Sequence, residues 1–406
     1  MVISEFSKDT FLVAIWEGVF DFCRTFTHSD LLTPTYMDNA KKHLEFLDRI
    51  RAIACISVFL FHSFMYAFFP RLPWAGWVPD FTSIGSFWFL LPFNFGWAGV
   101  SVFFVVSGFC IHLSFRRNPN WRDFTIRRFF RIYPPYLFAL LLFALFWPWT
   151  HIHWGLESVI QLASHLTLLH DYSDKTWYWF NGSFWSIAVE VQLYLLYPVL
   201  LGLVARFGWH RTLVAIAMLE ISLRSIWNLI YLFTGVEWPF YLLGSPFVYW
   251  YSWSIGAVIA EAYLLGRTIP FANHSLIAWG GAAICSYFLK PLTFFSFLFF
   301  ALLTATAIAK LLSRGDRVPR YLSFPLFFSK SLSMIGLWSY SIYLLHQPII
   351  ANLSVLIVTK LSLPPSPIVF FTVCLCLWFP IIGLSAFWYR KIEIPSLAIG
   401  RQLIRK

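Results

Sequence analysis

Long apolar stretches recur along the chain from residue 50 to residue 389. A helix needs about 20 mainly apolar residues to cross the hydrocarbon core of a bilayer, and about ten segments meet or approach that length. The predicted spans are 50–69, 96–115, 134–150, 184–205, 212–234, 246–265, 272–289, 293–312, 334–358 and 368–389. The pattern therefore predicts an all-α fold, a polytopic bundle of about ten transmembrane helices.

The composition agrees with this prediction. Of the 406 residues, 59% are hydrophobic and 12% are charged, whereas soluble domains average roughly 45–50% and about 25%. An aromatic content of 21% also excludes a disordered chain. The net charge of +11 would favour nucleic-acid binding in a soluble protein, so the position of the charges has to decide what they mean.

The basic residues predict the topology, because short cytoplasmic loops carry most Lys and Arg. With the N-terminus inside, nearly all of the 30 Lys and Arg residues fall in cytoplasmic segments or tails. The residues that fall outside are Arg71, Lys175, Lys290 and Lys360. We therefore predict both termini in the cytoplasm, a multipass protein of the cell (inner or plasma) membrane in contact with membrane lipids, and no nucleic-acid partner.

Three regions are predicted along the chain. Residues 1–45 lack the pattern of a cleavable signal peptide, and their apolar positions recur at helical spacing. This spacing favours an amphipathic helix in the inner interface, and a cytosolic cap packed on the bundle fits equally well. Residues 46–400 form the ten-span domain, and residues 401–406 form a basic cytoplasmic tail.

The first span carries two ionisable residues on one face. Arg51 and His62 are eleven residues apart, which makes roughly 1100° of rotation and a rise of about 16 Å. This puts Arg51 at the cytosolic mouth and His62 near the middle of the membrane. Ionisable groups in spans generally mark functional sites, and histidine can act as a general base near neutral pH. A hydrogen-bonded core histidine is the structural alternative.

A cluster of three arginines precedes the third span. Arg127, Arg128 and Arg131 have i,i+3 and i,i+4 spacing, so one face of a helix would present them together. Guanidinium groups so arranged suit phosphate binding, and an ordinary positive-inside signal is the alternative. Pro134 is predicted to begin the next helix, with Tyr136 at the membrane interface.

Other polar residues lie inside or beside the spans. Glu190 falls about a turn and a half into the fourth span, an unfavourable place for an unpaired carboxylate. Trp185 and Ser186 are predicted at the outer rim of that span. His346 in the ninth span is interpreted either as a packed core residue or as a substrate contact.

The remaining candidates are interpreted as structural. Glu220 and Arg224 are spaced i,i+4 in the fifth span and predict an internal ion pair. His112 and the loop histidines, among them His165 and His170, do not have the spacing of a metal site. No metal cofactor is predicted.

Six segments, in this order, resemble the acyltransferase-3 family of multipass membrane acyltransferases, which acylate O-antigens, exopolysaccharides and Nod factors. They are Arg51-x10-His62, Ser107-Gly-Phe109, Arg128-x-x-Arg131 before Ile-x-Pro, Trp185-Ser-x-x-x-Glu190, Tyr340 to His346, and Ile392 to Pro395. The resemblance covers about residues 45–400, whereas residues 1–45 match no part of the family pattern. It implies ten spans, in agreement with the pattern of apolar stretches.

The resemblance also implies a reaction. An acyl group, most simply acetyl, would pass from cytosolic acetyl-CoA or another acyl-CoA to a hydroxyl of an extracytoplasmic or lipid-linked glycan. The implied catalytic residues are His62, Arg51 and Glu190; the donor-binding residues are Arg127, Arg128 and Arg131; the substrate-binding residues are Ser107, Trp185, Ser186 and His346. A covalent acyl intermediate, on Ser107 or another hydroxyl, stays open.

Two other classes of function also place ionisable residues in a membrane. A multipass transporter or flippase for a glycan or lipid would use similar groups, but no repeated half with broken helices is visible in the sequence. A non-catalytic sensor or scaffold would keep His62 only as a core residue. The enzyme is the favoured hypothesis.

Overall fold

The computed structural model describes residues 45–68, 85–146, 155–313, 326–361 and 366–405. These ranges contain helices and no β-strand. The longer helices are α1 Glu45–Phe68, α2 Gly99–Arg117, α3 Trp121–Phe146, α4 Leu156–Leu166, α5 Phe184–Thr234, α6 Trp250–Leu264, α7 Leu276–Phe288, α8 Ser296–Ser313, α9 Leu326–Leu361, α10 Pro367–Trp388 and α11 Ile394–Arg405. The amphipathic helix predicted within residues 1–45 falls on residues outside the described ranges.

Short helical segments connect several of these helices. Two single-turn α-helices are Asp174–Trp177 and Phe240–Leu243. The 3₁₀ segments are Gly85–Ala98, His170–Tyr172, Pro246–Val248 and Lys290–Phe295, and a π-helical turn, Tyr389–Glu393, joins α10 to α11. Helix α11 continues past position 400, the predicted end of the ten-span domain, into the predicted basic tail 401–406.

Six helical stretches of the described residues are long and apolar enough to cross a membrane. They are Glu45–Tyr66, Phe89–Arg117, Trp121–Leu145, Phe184–Thr234, Pro291–Ser313 and Pro367–Arg405, and Leu276–Phe288 is a shorter apolar helix. An all-α multipass fold is therefore confirmed. The count of ten spans and the cytoplasmic termini stay predictions.

Helix α5 corresponds to two of the predicted spans. It has 51 residues, about 76 Å at 1.5 Å per residue, whereas the hydrocarbon core is about 30 Å thick. Gly208 interrupts the helix with φ +78° and ψ 163°, a left-handed φ that favours glycine. The break falls between the predicted spans 184–205 and 212–234.

Helix α3 begins earlier than the sequence predicted. It starts at Trp121 and contains Pro134, so the prediction that this proline begins the helix is wrong. A proline inside a helix lacks the N–H that would bond the carbonyl four residues back. That carbonyl, of Phe130, instead accepts a hydrogen bond from Ser396 Oγ at 2.5 Å. The side chain of Tyr136 is fully buried within the protein, and its position at the membrane interface stays a prediction.

Helices α2 and α6 pack backbone against backbone. A Cβ on Gly108 would lie 2.0 Å from the carbonyl oxygen of Trp253, and one on Gly256 would lie 2.0 Å from that of Val105. Small residues allow such close approach of membrane helices. The glycine of the Ser-Gly-Phe segment therefore has a packing role, and it holds the neighbouring Ser107 against α6.

Candidate active site

Six of the predicted site residues line one cavity, which we call the inner cavity. Its walls come from α1, α2, α3, α5 and α9. The predicted residues in its lining are Arg51, Ser107, Arg128, Arg131, Ser186 and Glu190. Residues far apart in the sequence thus meet around one space.

Two of the inner-cavity cations have carboxylate partners. Arg51 Nη1 lies 3.0 Å from Asp48 Oδ1, and Arg131 Nη1 lies 3.2 Å from Glu393 Oε2. Glu393 is fully buried and also accepts a hydrogen bond from the Ser341 hydroxyl. These pairs reduce the net positive charge that the two arginines present to the cavity.

Arg128 has a different environment. Its Nη2 donates to the neutral Ser114 Oγ at 3.2 Å, and its guanidinium carbon lies 6.0 Å from the centre of the Phe124 ring. Among the described residues, no carboxylate lies within ion-pair distance of Arg128. Arg127 is not part of the cavity lining and donates to the carbonyl oxygen of Asn118 at 3.4 Å. The structure thus separates Arg127 from the arginines with which it was grouped.

Glu190 is held by two hydroxyl groups in the inner cavity. Its Oε1 accepts hydrogen bonds from Ser107 Oγ at 2.6 Å and from Tyr194 OH at 2.5 Å. Trp253 Nε1 in turn donates to Ser107 Oγ at 3.3 Å. This chain of hydrogen bonds fixes the carboxylate in the cavity that Arg51 and Arg128 also line.

A second cavity, which we call the outer cavity, contains His62 and Trp185. Aromatic rings form much of its wall, and the indoles of Trp177 and Trp185 stack with centroids 5.6 Å apart at 19°. Ser183 and Gln347 add polar groups, with Ser183 Oγ donating to Gln347 Oε1 at 2.5 Å. The outer cavity is thus aromatic with few polar groups.

His62 contacts His346, the second buried histidine. His346 Nδ1 lies 2.9 Å from the carbonyl oxygen of Tyr343 and 3.1 Å from that of Ile342, so this nitrogen carries the proton of a neutral ring. Its Nε2 then accepts, and it lies 3.2 Å from His62 Nδ1. His62 Nδ1 also lies 2.9 Å from the Val58 carbonyl oxygen. Both contacts require Nδ1 of neutral His62 to carry the proton, which leaves Nε2 unprotonated.

Glu190 and Ser186 both belong to the inner cavity. The hydrogen bonds of Glu190 go to residues of that cavity, whereas His62 lies in the outer one. Glu190 therefore does not orient His62 directly. The hydroxyl of Ser186 lies 2.6 Å from Tyr343 OH, and its placement at the outer rim of the span stays a prediction.

The two cavities adjoin each other. Val100 and Tyr343 belong to the lining of both. The hydrogen bond between Ser186 and Tyr343 lies at the same place. A group that reached from the arginines to His62 would pass these residues.

Several residues of the site were not assigned a role from the sequence. Asp48, Tyr194, Tyr343, Gln347 and Glu393 all contact a predicted site residue or line a cavity with one. Asp48 stands three residues before Arg51, and Glu393 belongs to the Ile-Glu-Ile-Pro segment, so local spacing and the family pattern both held a signal. Tyr194 stands four residues after Glu190 on α5, and Tyr343 lies within the segment Tyr340 to His346, so the same two signals existed for them. The role of Gln347 becomes visible through its contact with Ser183 on a distant part of the chain.

The segment between α3 and α5 carries a second group of buried ionisable residues. The rings of His165 and His170 stack with centroids 4.1 Å apart at 9°. Burial lowers the pKa of His165 to about 4 and raises the pKa of Asp171 to about 8. Among the described residues, no group of three or more His, Cys, Asp or Glu side chains is arranged to hold a metal ion.

Known proteins resemble this chain over most of its length. A relative, the peptidoglycan O-acetyltransferase OatA of Listeria monocytogenes serovar 1/2a, is 23% identical over 350 residues. That match covers 77% of this chain and 50% of the relative, so the chain spans half of the relative's length. No solved structure matches. The family model of the acyltransferase-3 group, described as an acyltransferase domain, matches residues 44–385. With this match across the helices that form both cavities, the chain belongs to the acyltransferase-3 family.

Proposed function

We propose that this protein is a membrane O-acetyltransferase that takes its acyl group from cytosolic acetyl-CoA and transfers it to a hydroxyl of an extracytoplasmic or lipid-linked glycan. One observation carries the proposal. A cavity lined by arginines adjoins a cavity that contains a histidine with a free Nε2, and the two meet at Val100 and Tyr343. Donor and acceptor can therefore approach the reaction centre from opposite sides.

The inner cavity suits the phosphorylated donor. Guanidinium groups bind phosphate through charge-assisted hydrogen bonds. Arg128 is the principal candidate because its hydrogen-bond partner is the neutral Ser114. Arg51 and Arg131 add positive charge beside their carboxylate partners, and Glu190, on a different helix, adds a carboxylate to the same cavity.

The outer cavity suits the acceptor. The stacked indoles of Trp177 and Trp185 present flat apolar surfaces against which the C–H face of a sugar ring can pack. Ser183 and Gln347 line this cavity and can form hydrogen bonds with sugar hydroxyls. A glycan acceptor and an acetyl group also agree with the name of the matched relative, a peptidoglycan O-acetyltransferase.

His62 then acts as general base. Its Nε2 accepts the proton of the acceptor hydroxyl as the hydroxyl oxygen attacks the thioester carbonyl carbon, a role worth about 10²–10⁴-fold in rate. The C–S bond breaks, the acceptor gains an ester, and CoA leaves as the thiol after the His62 imidazolium returns the proton. His346 Nε2 accepts from His62 Nδ1–H and stabilises the imidazolium that forms.

The test uses the full chain purified in detergent with acetyl-CoA labelled in the acetyl group. Wild type should release CoA and, in native membranes, label glycan. His62→Gln should lose this activity, while His210→Gln, which replaces an exposed histidine, should retain it. Full activity in His62→Gln would overturn the general-base assignment. Glycan movement across vesicles without CoA release would favour the transporter alternative.

A further inference from the structure

We infer that Val100 and Tyr343 form an acyl gate between the two cavities, and that the gate sets the length of the acyl chain this protein transfers. The inference rests on the proposed function. It adds a specificity determinant that neither the arginines nor His62 provides.

The geometry of the partition supports the gate. Val100 and Tyr343 line both of these cavities, whereas, of the two, the arginines line the inner cavity and His62 lines the outer one. A donor whose phosphates are held by arginines must therefore pass its thioester between Val100 and Tyr343 to reach the base. The acyl group is the leading part of that arm, so its size decides whether it fits.

Contacts on both sides hold the tyrosine in place. Its hydroxyl lies 2.6 Å from Ser186 Oγ, and its ring packs against Phe103 with centroids 5.9 Å apart at 76°. The ring centroid is also 5.4 Å from that of His346, the histidine that contacts His62. A tyrosine ring held rigidly beside His62 and His346 sets a fixed limit on the length of the acyl chain.

Val100 forms the other side of the gate, and its substitution tests the gate most directly. It lies on α2, with Val106 in the same helix; both side chains are buried, but Val106 belongs to neither cavity lining. Val100→Ala and Val106→Ala remove the same two methyl-sized groups from one helix. Only the first removal widens the gate.

The experiment compares acetyl-CoA with butyryl-CoA as donors for the full chain in detergent, measured as CoA release. A methylene in an apolar pocket changes discrimination roughly 10–200-fold. Val100→Ala should therefore raise the ratio of butyryl to acetyl turnover by about 10-fold or more, and Val106→Ala should leave the wild-type ratio unchanged. Equal ratios in the two variants would overturn the gate.

Three further variants test the same partition. Val100→Trp should block CoA release, and a thermal unfolding transition like that of wild type shows that the variant is folded. Tyr343→Phe and Ser186→Ala remove the same hydrogen bond, so both should raise the ratio of butyryl to acetyl turnover. If neither variant raises this ratio, the role of Tyr343 is contradicted. Wild type that releases no CoA from acetyl-CoA would instead overturn the proposed function.

Discussion

The Nε2 atom of His346 lies 3.2 Å from the Nδ1 atom of His62. Two backbone carbonyls on α9 fix the proton of His346 on its Nδ1, so its Nε2 can only accept. The pair is therefore directional: His346 selects the tautomer of His62 that leaves Nε2 free to take a proton. The sequence left His346 between packing and substrate contact, whereas the contact with His62 supports our proposal that His346 positions the base.

His346→Leu should lower kcat by roughly 10-fold or more. The reason is the loss of the acceptor that orients His62. The loss in His62→Gln should be larger, because general-base catalysis contributes about 10²–10⁴-fold to the rate. His346→Gln can place an amide oxygen near the former Nε2 position, and it should keep more of the rate. Steady-state kinetics with acetyl-CoA measure kcat and KM separately, and a purely structural role would predict similar losses for both variants.

The arginines of α3 should differ in their effect on donor binding. A hydrogen bond to a charged group contributes about 1.5–3 kcal/mol, so Arg128→Ala should raise the Kd for CoA by about 10-fold or more. Arg127→Ala is the matched control, because Arg127 immediately precedes Arg128 on α3 and does not line the inner cavity. Titration calorimetry of CoA at fixed salt measures both, and equal effects would contradict the assignment.

Arg131 needs a compensated variant for the same measurement. Its carboxylate partner Glu393 is fully buried, and removal of one partner of a buried pair leaves an unpaired charge. Arg131→Ala alone should therefore lower thermal stability. Combination with Glu393→Gln should restore part of that stability and reveal the effect of Arg131 on CoA binding.

The apolar pattern predicted the helical fold well, because each span is encoded by its own residues. It failed at the start of α3, since Pro134 is a helix breaker by local rules. The hydrogen bond from Ser396 to the freed carbonyl of Phe130 joins positions 266 residues apart, and no local pattern contains it.

The residues of the site also fall into those that local pattern predicts and those that only tertiary packing brings together. Helical periodicity placed Arg51 and His62 on one face, because both belong to a single helix. The contact between His62 and His346, and the partition that includes Tyr343, arise from packing of α1, α5 and α9. Their discovery required the three-dimensional structure.

The predicted Glu220–Arg224 ion pair is confirmed. Arg224 Nη2 lies 3.1 Å from Glu220 Oε1, and both side chains are almost fully buried. The guanidinium also donates to the carbonyl oxygens of Phe294 and Val248, so the pair connects α5 to the segments on either side of it. Neither side chain lines the inner or the outer cavity, although the guanidinium lies 5.8 Å from the centre of the Tyr249 ring, which lines the outer one.

Arg224→Met should destabilise the protein by about 3–5 kcal/mol, because it leaves the Glu220 carboxylate buried without its cation. The double variant Glu220→Leu with Arg224→Met should lose less than the sum of the two single variants. Thermal unfolding in detergent measures this coupling. Additive losses would indicate that the two side chains act independently.

The buried Asp171 should make the stability of the protein fall between pH 6.5 and pH 8. Burial raises the pKa of Asp171 from 3.8 to about 8. Between pH 6.5 and pH 8 the unfolded chain has therefore released a proton that the folded chain retains. Because the folded state binds more protons, the free energy of unfolding decreases as pH rises. His165 acts in the opposite direction, because burial lowers its pKa from 6.5 to about 4. Its contribution rises with pH and levels off about one unit above the unfolded pKa of 6.5, as does that of its neighbour His170, so the two histidines offset only the first part of the fall caused by Asp171.

Asp171→Asn should remove the fall above pH 6.5, on the order of 1–2 kcal/mol. Asparagine keeps a side-chain oxygen for the hydrogen bond that Gln192 Nε2 donates at 3.0 Å, so packing changes little. The tyrosines near Asp171, which include Tyr136, Tyr172 and Tyr249, ordinarily titrate near pH 10 and should not contribute in this range. Melting temperatures at pH 6.5 and pH 8 measure the difference. If the melting temperatures of wild type and Asp171→Asn fall equally between pH 6.5 and pH 8, the pH dependence belongs to another group. The reason is that the substitution removes the carboxyl and keeps the hydrogen bond.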